Sequence, residues 1–336
     1  MYKIAIDVMG GDNAPDAILN GCKDALNKFN DINLRLFGNK EIIDRFIDIK
    51  NVDRSRVEVI GTTQVITNDE SPVNAIRKKT DSSLVKAMQS VADKETQGFV
   101  SAGSTGAVLA GATFIVKRLP GVSRPALSPL LPSVKGGKVM LVDCGANVDC
   151  KPAYLQQFAI MGSTYMNKVK GIKNPRVGLI NNGAEEGKGN KLTKEAYELL
   201  KTTPVNFIGN CEAREAISGD FDVIVTDGFV GNVLLKTLEG VAGGIMKMLK
   251  ESLMSSFKTK LGAMLSKDAF ADLKKKMDHD EEGGAALLGV NGEIVKAHGS
   301  SNAYAFMNAI GQVRLCIKNN VSQTLLEGIK SIEQEV

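Results

Sequence analysis

Five apolar runs, each closed by a small polar residue and glycine, constrain this chain more than any other feature. Ile4 to Met9 runs into Gly10-Gly11-Asp12, and Gly98-Phe99-Val100-Ser101 into Ala102-Gly103-Ser104-Thr105-Gly106. Val139 to Asp143 leads to Cys144-Gly145-Ala146-Asn147, Val177 to Ile180 to Asn181-Asn182-Gly183, and Val223 to Thr226 to Asp227-Gly228-Phe229-Val230-Gly231. Short β-branched runs bounded by glycine read as buried strands. Residues 14–28, 81–95, 104–117, 153–169, 229–250 and 300–317 read as helices. Strand, turn and helix in repeated alternation predict an α/β fold with a mostly parallel, mixed sheet between helix layers. Ligands of such sheets sit beyond the carboxyl ends of the strands, so the turns are expected to line one crevice.

The first junction shows what such a turn offers. Asn13 stands as an N-cap and Pro15 just inside a helix start. Backbone N–H groups and a helix dipole there suit a bulky anion, and glycine lets it approach. A phosphate is the first expectation, although Asp7 is a poor neighbour for one and the spacing is not the dinucleotide fingerprint. One such turn is explained by backbone geometry alone. Five together, with Ser101, Ser104, Thr105, Asn147, Asn181, Asp227 and Asn232, gather more short polar groups than a fold needs and predict a polar ligand.

Composition excludes other classes. The 336 residues, 43% hydrophobic and 24% charged, suit a globular enzyme in one domain, 1–336. No apolar run reaches membrane-helix length and no signal segment opens the chain, so a cytoplasmic protein is expected. The five cysteines form no Cys-x-x-Cys pair and only two histidines accompany them, so neither a disulfide framework nor a metal site is expected. A net charge of +4 without tryptophan does not suggest nucleic-acid binding. Cys144 is a weak candidate nucleophile, because small cysteines are more often buried and inert.

Two segments stand out from the junctions. Residues 181–191 hold three glycines, two acids and two lysines, and read as a mobile loop in which Lys188 suits phosphate or as a solvated surface loop. His298, beside Gly299 and two serines at a helix start, is a candidate anion contact or general acid, or part of a plain polar turn. His279 lies in a charged surface run and carries no expected role. In 243–277, Met246, Leu249, Leu253, Phe257, Leu261 and Leu265 recur at helical spacing. Lys247, Lys250, Lys258, Lys260, Lys267 and Lys274 to Lys276 outnumber Glu251, Asp268 and Asp272 there. A basic amphipathic helix pair is expected, facing core, carrier protein or an anionic membrane. An exposed role is favoured, because Gly262 and Ser255-Ser256 would weaken a buried helix.

Seven runs together resemble the bacterial phosphate acyltransferase family. They are residues 7–15, 101–107, 143–147, Gln157 to Gly162, Lys188-Gly189-Asn190, 227–233, and Leu287-Leu288-Gly289 with His298-Gly299. Ser104 and Asn182 depart from the family's common Asn and Ile. The resemblance implies acyl transfer from acyl-carrier protein thioester to inorganic phosphate, giving acyl-phosphate for glycerol-3-phosphate acylation at a membrane enzyme. It also implies a homodimer, peripheral membrane contact, no cofactor, and a fold similar to phosphotransacetylase and isocitrate dehydrogenase with a protruding helical hairpin. On this basis Lys188, His298 and Asn232 are the expected catalytic residues. Substrate is expected at Asp7, Gly10, Gly11, Asp12, Ser101, Gly103, Ser104, Thr105, Gly106, Asp143, Gly145, Asn147, Asn190, Asp227, Gly228 and Gly231. Two alternatives share the architecture: a metal- and nicotinamide-dependent decarboxylating dehydrogenase holding metal on Asp7, Asp143 and Asp227, and a non-catalytic scaffold.

Overall fold

A computed structural model describes residues 1–277 and 279–333, with the side chains at 271, 274–277, 279 and 333 left out. The expectations for Lys274 to Lys276 and His279 therefore lie outside the described residues. The expected mixed, mostly parallel sheet is present, and it comes as two.

The first sheet comprises β1 (Tyr2–Asp7), β2 (Ile32–Gly38), β3 (Val57–Gly61), β4 (Gly98–Ser101), β5 (Ala126–Ser128), β11 (Gly284–Leu288) and β12 (Glu293–Ala297). Their order is β3-β2-β1-β4-β12-β11-β5, parallel from β3 to β12 and antiparallel at β11 and β5. The second holds β6 (Leu130–Pro132), β7 (Lys138–Val142), β8 (Arg176–Asn181), β9 (Asn206–Glu212) and β10 (Val223–Val225), in the order β6-β7-β10-β8-β9. The chain changes sheets between β5 and β6 through Pro129, a residue with no N–H for a ladder.

The helices are α1 (Asp16–Lys28), α2 (Lys40–Lys50), α3 (Pro72–Lys78), α4 (Ser83–Ala92), α5 (Thr105–Gly111), α6 (Pro152–Lys168), α7 (Lys191–Thr202), α8 (Gly228–Leu253), α9 (Phe257–Leu265), α10 (Lys267–Met277), α11 (Ala303–Lys318) and α12 (Val321–Glu333). Helices α1 and α11 cover one face of the first sheet through Ile18, Leu19, Phe306 and Ile310, while α4 and α5 cover the other through Leu84, Met88 and Val108. Helix α6 packs Phe158, Met161 and Tyr165 on the second sheet. Fully burying each such side chain contributes about 1.5–3 kcal/mol, which makes these faces the main stabilising term.

Three expectations need correction. Asn13 does not cap α1, which starts at Asp16 after Pro15. Its amide instead donates to the carbonyls of Ser300 (3.0 Å) and Ser301 (3.3 Å), whereas a cap must accept from the helix. The helix expected over 104–117 is α-helical only to Gly111 and widens into a π turn over Ala112–Val116. Helix α8 is long and apolar enough to cross a membrane by length and composition, with a mean hydropathy of 1.2 over 18 residues. Uninterrupted runs missed it because Lys236 and Glu239 punctuate a segment that is apolar on average.

The protruding hairpin is α8 leading into α9 and α10. Helix α8 ends at Leu253; the Ser255 hydroxyl donates to Ser252 O at 2.7 Å, and Ser256 caps α9, its hydroxyl accepting from Thr259 N in a reciprocal capping box. Ile245, Met248, Phe257, Leu261 and Leu265 lie exposed along it, Phe257 at 83%.

Candidate active site

Strands β1, β4 and β12 lie side by side and end level, so their last polar side chains form a row. Lys296 pairs in register with Ser101, and the Ser101 hydroxyl donates to Asp7 Oδ2 at 2.7 Å. Ser83, at the start of α4, donates to Asp7 Oδ1 at 2.6 Å, and Gly103 N donates to Ser101 Oγ at 2.9 Å. Lys296 donates to the carbonyls of Ala102 (3.4 Å) and Ala297. Burial raises the Asp7 carboxyl above its ordinary range, opposed by both serines and Lys296. Burial likewise pushes Lys296 down to about 8, while Asp7 and Asp12 pull it up. The ammonium is therefore still charged at neutral pH.

The turns after these strands interlock. Asp12 N donates to Gly299 O at 2.8 Å, and a Cβ on Gly10 would stand 2.4 Å from Asp7 Oδ2 and 2.8 Å from Gly103 N. Glycine at 10 thus permits a close approach that no other residue would allow. Exposed His298 accepts the Ser300 N–H on Nδ1 at 3.2 Å, which puts the proton of its neutral ring on Nε2.

At the edge of the second sheet, Asp143 is buried and ringed by N–H groups. Its Oδ1 accepts from Leu127 N (2.8 Å), Cys144 N (2.7 Å) and Ala146 N (3.3 Å), and its Oδ2 from Asn147 N (2.7 Å) and Asn147 Nδ2 (3.0 Å). Burial outweighs these donors and pushes its carboxyl up to about 6. The start of α8 rests on this turn: Gly228 N donates to Asn147 O at 2.7 Å, and a Cβ on Gly231 would fall 2.0 Å from Asp143 O. Asp227 caps the helix by accepting from Val230 N, and Asn232 stands over Gly145. Burial pushes the Cys144 and Cys150 thiols up to about 12, so neither is a thiolate at neutral pH.

The loop after β8 is tied down by two asparagines. Asn181 Nδ2 donates to Lys188 O (3.1 Å) and to Asn210 Oδ1 (3.0 Å), and Asn210 donates to Glu185 O (2.8 Å). Lys188 is exposed, and Asn190 caps α7 by accepting from Thr193 N. Asn190 and Asp227 share an open cleft of about 480 Å³ with Val148, Cys150, Leu192 and Phe229.

The expected residues thus form three groups. Asp7, Gly10, Gly11, Asp12, Ser101, Gly103 and His298 meet at the first sheet's edge. Asp143, Gly145, Asn147, Asp227, Gly228, Gly231 and Asn232 meet at the second, and Lys188 with Asn190 flanks that edge. Ala146 packs against the cluster containing Ala107 and Val108, so the two edges meet there. Ser104 and Thr105 open α5, and Gly106 closes on Pro72. Lys188 and His298 lie in loops after strands of different sheets, one at each edge. The three aspartates of the dehydrogenase alternative have separate roles, binding hydroxyls, a turn and a helix start. Among the described residues no group of three or more His, Cys, Asp or Glu could hold a metal ion.

A family model described as Fatty acid synthesis protein matches residues 2–324. The chain belongs to that family. The family's curated relatives include the Phosphate acyltransferase of Clostridium tetani (strain Massachusetts / E88), 49% identical over 331 residues, covering 98% of this chain and 99% of that protein. The Phosphate acyltransferase of Clostridium novyi (strain NT) is 48% identical over 335 residues, 99% of each chain. Membership therefore places the chain among the acyltransferases. Among solved structures, EutD phosphotransacetylase from Staphylococcus aureus superposes with a TM-score of 0.61 at 16% identity, covering 96% of this chain and 94% of that one. A 4-hydroxythreonine-4-phosphate dehydrogenase from Klebsiella pneumoniae does so with 0.51 at 10% identity, covering 96% and 98%. At these identities the likeness is one of fold.

For this family member, reading the sequence missed Ser83, Asn210 and above all Lys296. A lysine inside the apolar strand Glu293-Ile294-Val295-Lys296-Ala297 is itself the signal, since an unpaired charge is rarely left there.

Proposed function

We propose that the chain transfers a fatty acyl group from the thioester of acyl-carrier protein to inorganic phosphate, giving acyl-phosphate for glycerol-3-phosphate acylation. The observation that carries this reading is near-full-length identity of 49% to a protein named Phosphate acyltransferase. The turns support it, because short polar side chains and glycines gather there at the carboxyl ends of the strands. A phosphate oxygen attacks the thioester carbonyl, a C–O bond forms, the C–S bond breaks, and the thiolate leaves and takes up a proton. Phosphate is already a competent nucleophile, so the protein's tasks are to desolvate it, align it and stabilise the oxyanion. In this mechanism Lys188, the 103–106 turn and the 228–231 turn hold phosphate. Asn232 and N–H groups at the start of α8 face the oxyanion, and His298 assists as acid or anion contact. Asp7, Asp143 and Asp227 order their turns and abstract no proton.

The test is to mix the protein with acyl-carrier protein thioester and labelled phosphate, with and without excess chelator. Labelled acyl-phosphate in both mixtures is expected. Activity lost with chelator, with a nicotinamide absorbance change, would favour the dehydrogenase reading, and no turnover at all would favour a scaffold.

The proposal extends to a cytoplasmic homodimer that touches the membrane peripherally and delivers product to a membrane glycerol-3-phosphate acyltransferase. The exposed apolar stripe and lysines of 243–277 support such a contact surface. Leu253→Glu with Phe257→Glu should abolish vesicle flotation and spare turnover if the stripe meets lipid. Lys258→Glu with Lys260→Glu should raise the carrier-protein KM in a salt-sensitive way if it docks that partner. A lowered melting temperature with unchanged flotation would assign the stripe to a protein interface.

A further inference from the structure

The first edge poses an electrostatic problem. A phosphate approaching the turns at 10–12 and 102–103 meets the buried carboxylate of Asp7 and the exposed one of Asp12, and each repels it. Lys296 is a cation buried beneath those turns, 7% exposed, with its ammonium bound to the carbonyls where β4 and β12 give way to their turns. Across the row Asp7–Ser101–Lys296 the acid and the base stand two strands apart with a hydroxyl between them. A buried ammonium that, among the described residues, donates to neutral carbonyls retains its charge to act on whatever lies above. Both acids interact with it electrostatically from outside its own strand, Asp7 from β1 and Asp12 from the following turn.

We propose that Lys296 is a positioning residue for phosphate, its buried charge offsetting Asp7 and Asp12 so that the glycine turns of the first edge accept an anion. The proposal rests on the phosphate-dependent reaction above and names the charge that makes its site permissive. It also explains why the acid ahead of Gly10-Gly11 is compatible with an anion there. Lys296 touches no reacting atom and acts through the turns.

The experiment compares wild-type protein with Lys296→Met, which keeps the length and removes the charge. Inorganic phosphate binding is followed by calorimetry and turnover by acyl-phosphate formation. Phosphate affinity should fall and phosphate KM rise about tenfold, with the thioester KM unchanged and kcat altered less than twofold. Adding Asp12→Asn to that variant should recover most of the loss. Lowered thermal stability with unchanged phosphate affinity and KM would mark Lys296 as structural and overturn the proposal. If Lys296→Met does not fold, Asp12→Asn alone carries the test: phosphate binding should tighten about threefold, and unchanged binding overturns the proposal. Wild-type protein that binds phosphate through Lys296 yet forms no acyl-phosphate would reject the reaction while supporting the charge balance.

Discussion

Asp7 and Asp143 occupy the same place in the local pattern, each closing an apolar run before a glycine turn, and the fold satisfies them by different means. Asp7 is met by side chains from three other elements, Ser83, Ser101 and the more distant Lys296, none of them its sequence neighbour. Asp143 is met almost entirely by its own turn, with four of its five donors within residues 144–147. One carboxylate thus balances charge across a sheet, and the other folds a loop around itself. The same sequence signal therefore marks a charge balance across a sheet in one case and a scaffold for α8 in the other.

The largest expected effect tests that contrast. Asp143→Ala strands a set of buried N–H groups and should cost about 3–5 kcal/mol in urea unfolding, with no single partner change restoring it. Asp7→Asn should lose less, and pairing it with Lys296→Met should recover about 1–2 kcal/mol, because the partner left uncompensated is a charge. A wild-type midpoint for Asp143→Ala, or strict additivity at Asp7 and Lys296, would erase the distinction.

Next in size is the scaffold itself. Gly231→Ala drives a methyl into the Asp143 carbonyl and should destabilise by about 2–3 kcal/mol. Gly243→Ala, on the exposed part of the same helix with nothing within 4 Å, should instead stabilise by about 0.5–1 kcal/mol. Equal melting shifts for the two variants would mean that α8 does not rest on the 143–147 turn.

A third measurement asks which edge supplies the phosphate contact. Lys188→Ala should lower kcat/KM for phosphate by about 2 kcal/mol, on the scale of one charge-assisted hydrogen bond, with a smaller effect from His298→Ala. Unchanged phosphate kinetics for Lys188→Ala would return the 181–191 loop to the solvated surface.

The smallest effect is a pH slope. A carboxyl raised in the folded state binds its proton more tightly there, so its contribution is full below the unfolded value of 3.8 and fades as pH climbs through about 6. The stability of wild type relative to Asp143→Asn should accordingly decline over about pH 4 to 6, by on the order of 2 kcal/mol. A flat difference would mean that the N–H ring cancels the effect of burial, and a rising one that it outweighs burial.

Much of this was legible in residue order. The five runs ending at Met9, Ser101, Asp143, Ile180 and Thr226 all overlap strands with parallel neighbours, because β-branched content and glycine punctuation report on a short local stretch. The strand Ile32–Gly38 was less visible, since Asn33 and Arg35 interrupt its apolar pattern. Gly10, Gly103, Gly228 and Gly231 were legible as close approaches, but the atoms that exclude a Cβ there come partly from distant turns. Asn13 was misread as a cap because its actual partners, Ser300 and Ser301, lie at the far end of the chain.

The sequence by itself determined the α/β alternation, the glycine turns and the family, because each is written in contiguous residues whose local physics is nearly independent of the rest. Tertiary structure alone decided that the strands divide into two sheets. It also decided that Lys188 and His298 belong to different edges, and that Lys296 lies beneath the turns that begin with Gly10. Those facts depend on strand order and register, which bring together residues nearly three hundred positions apart, and the hydrophobic pattern of any one segment carries no record of its neighbour.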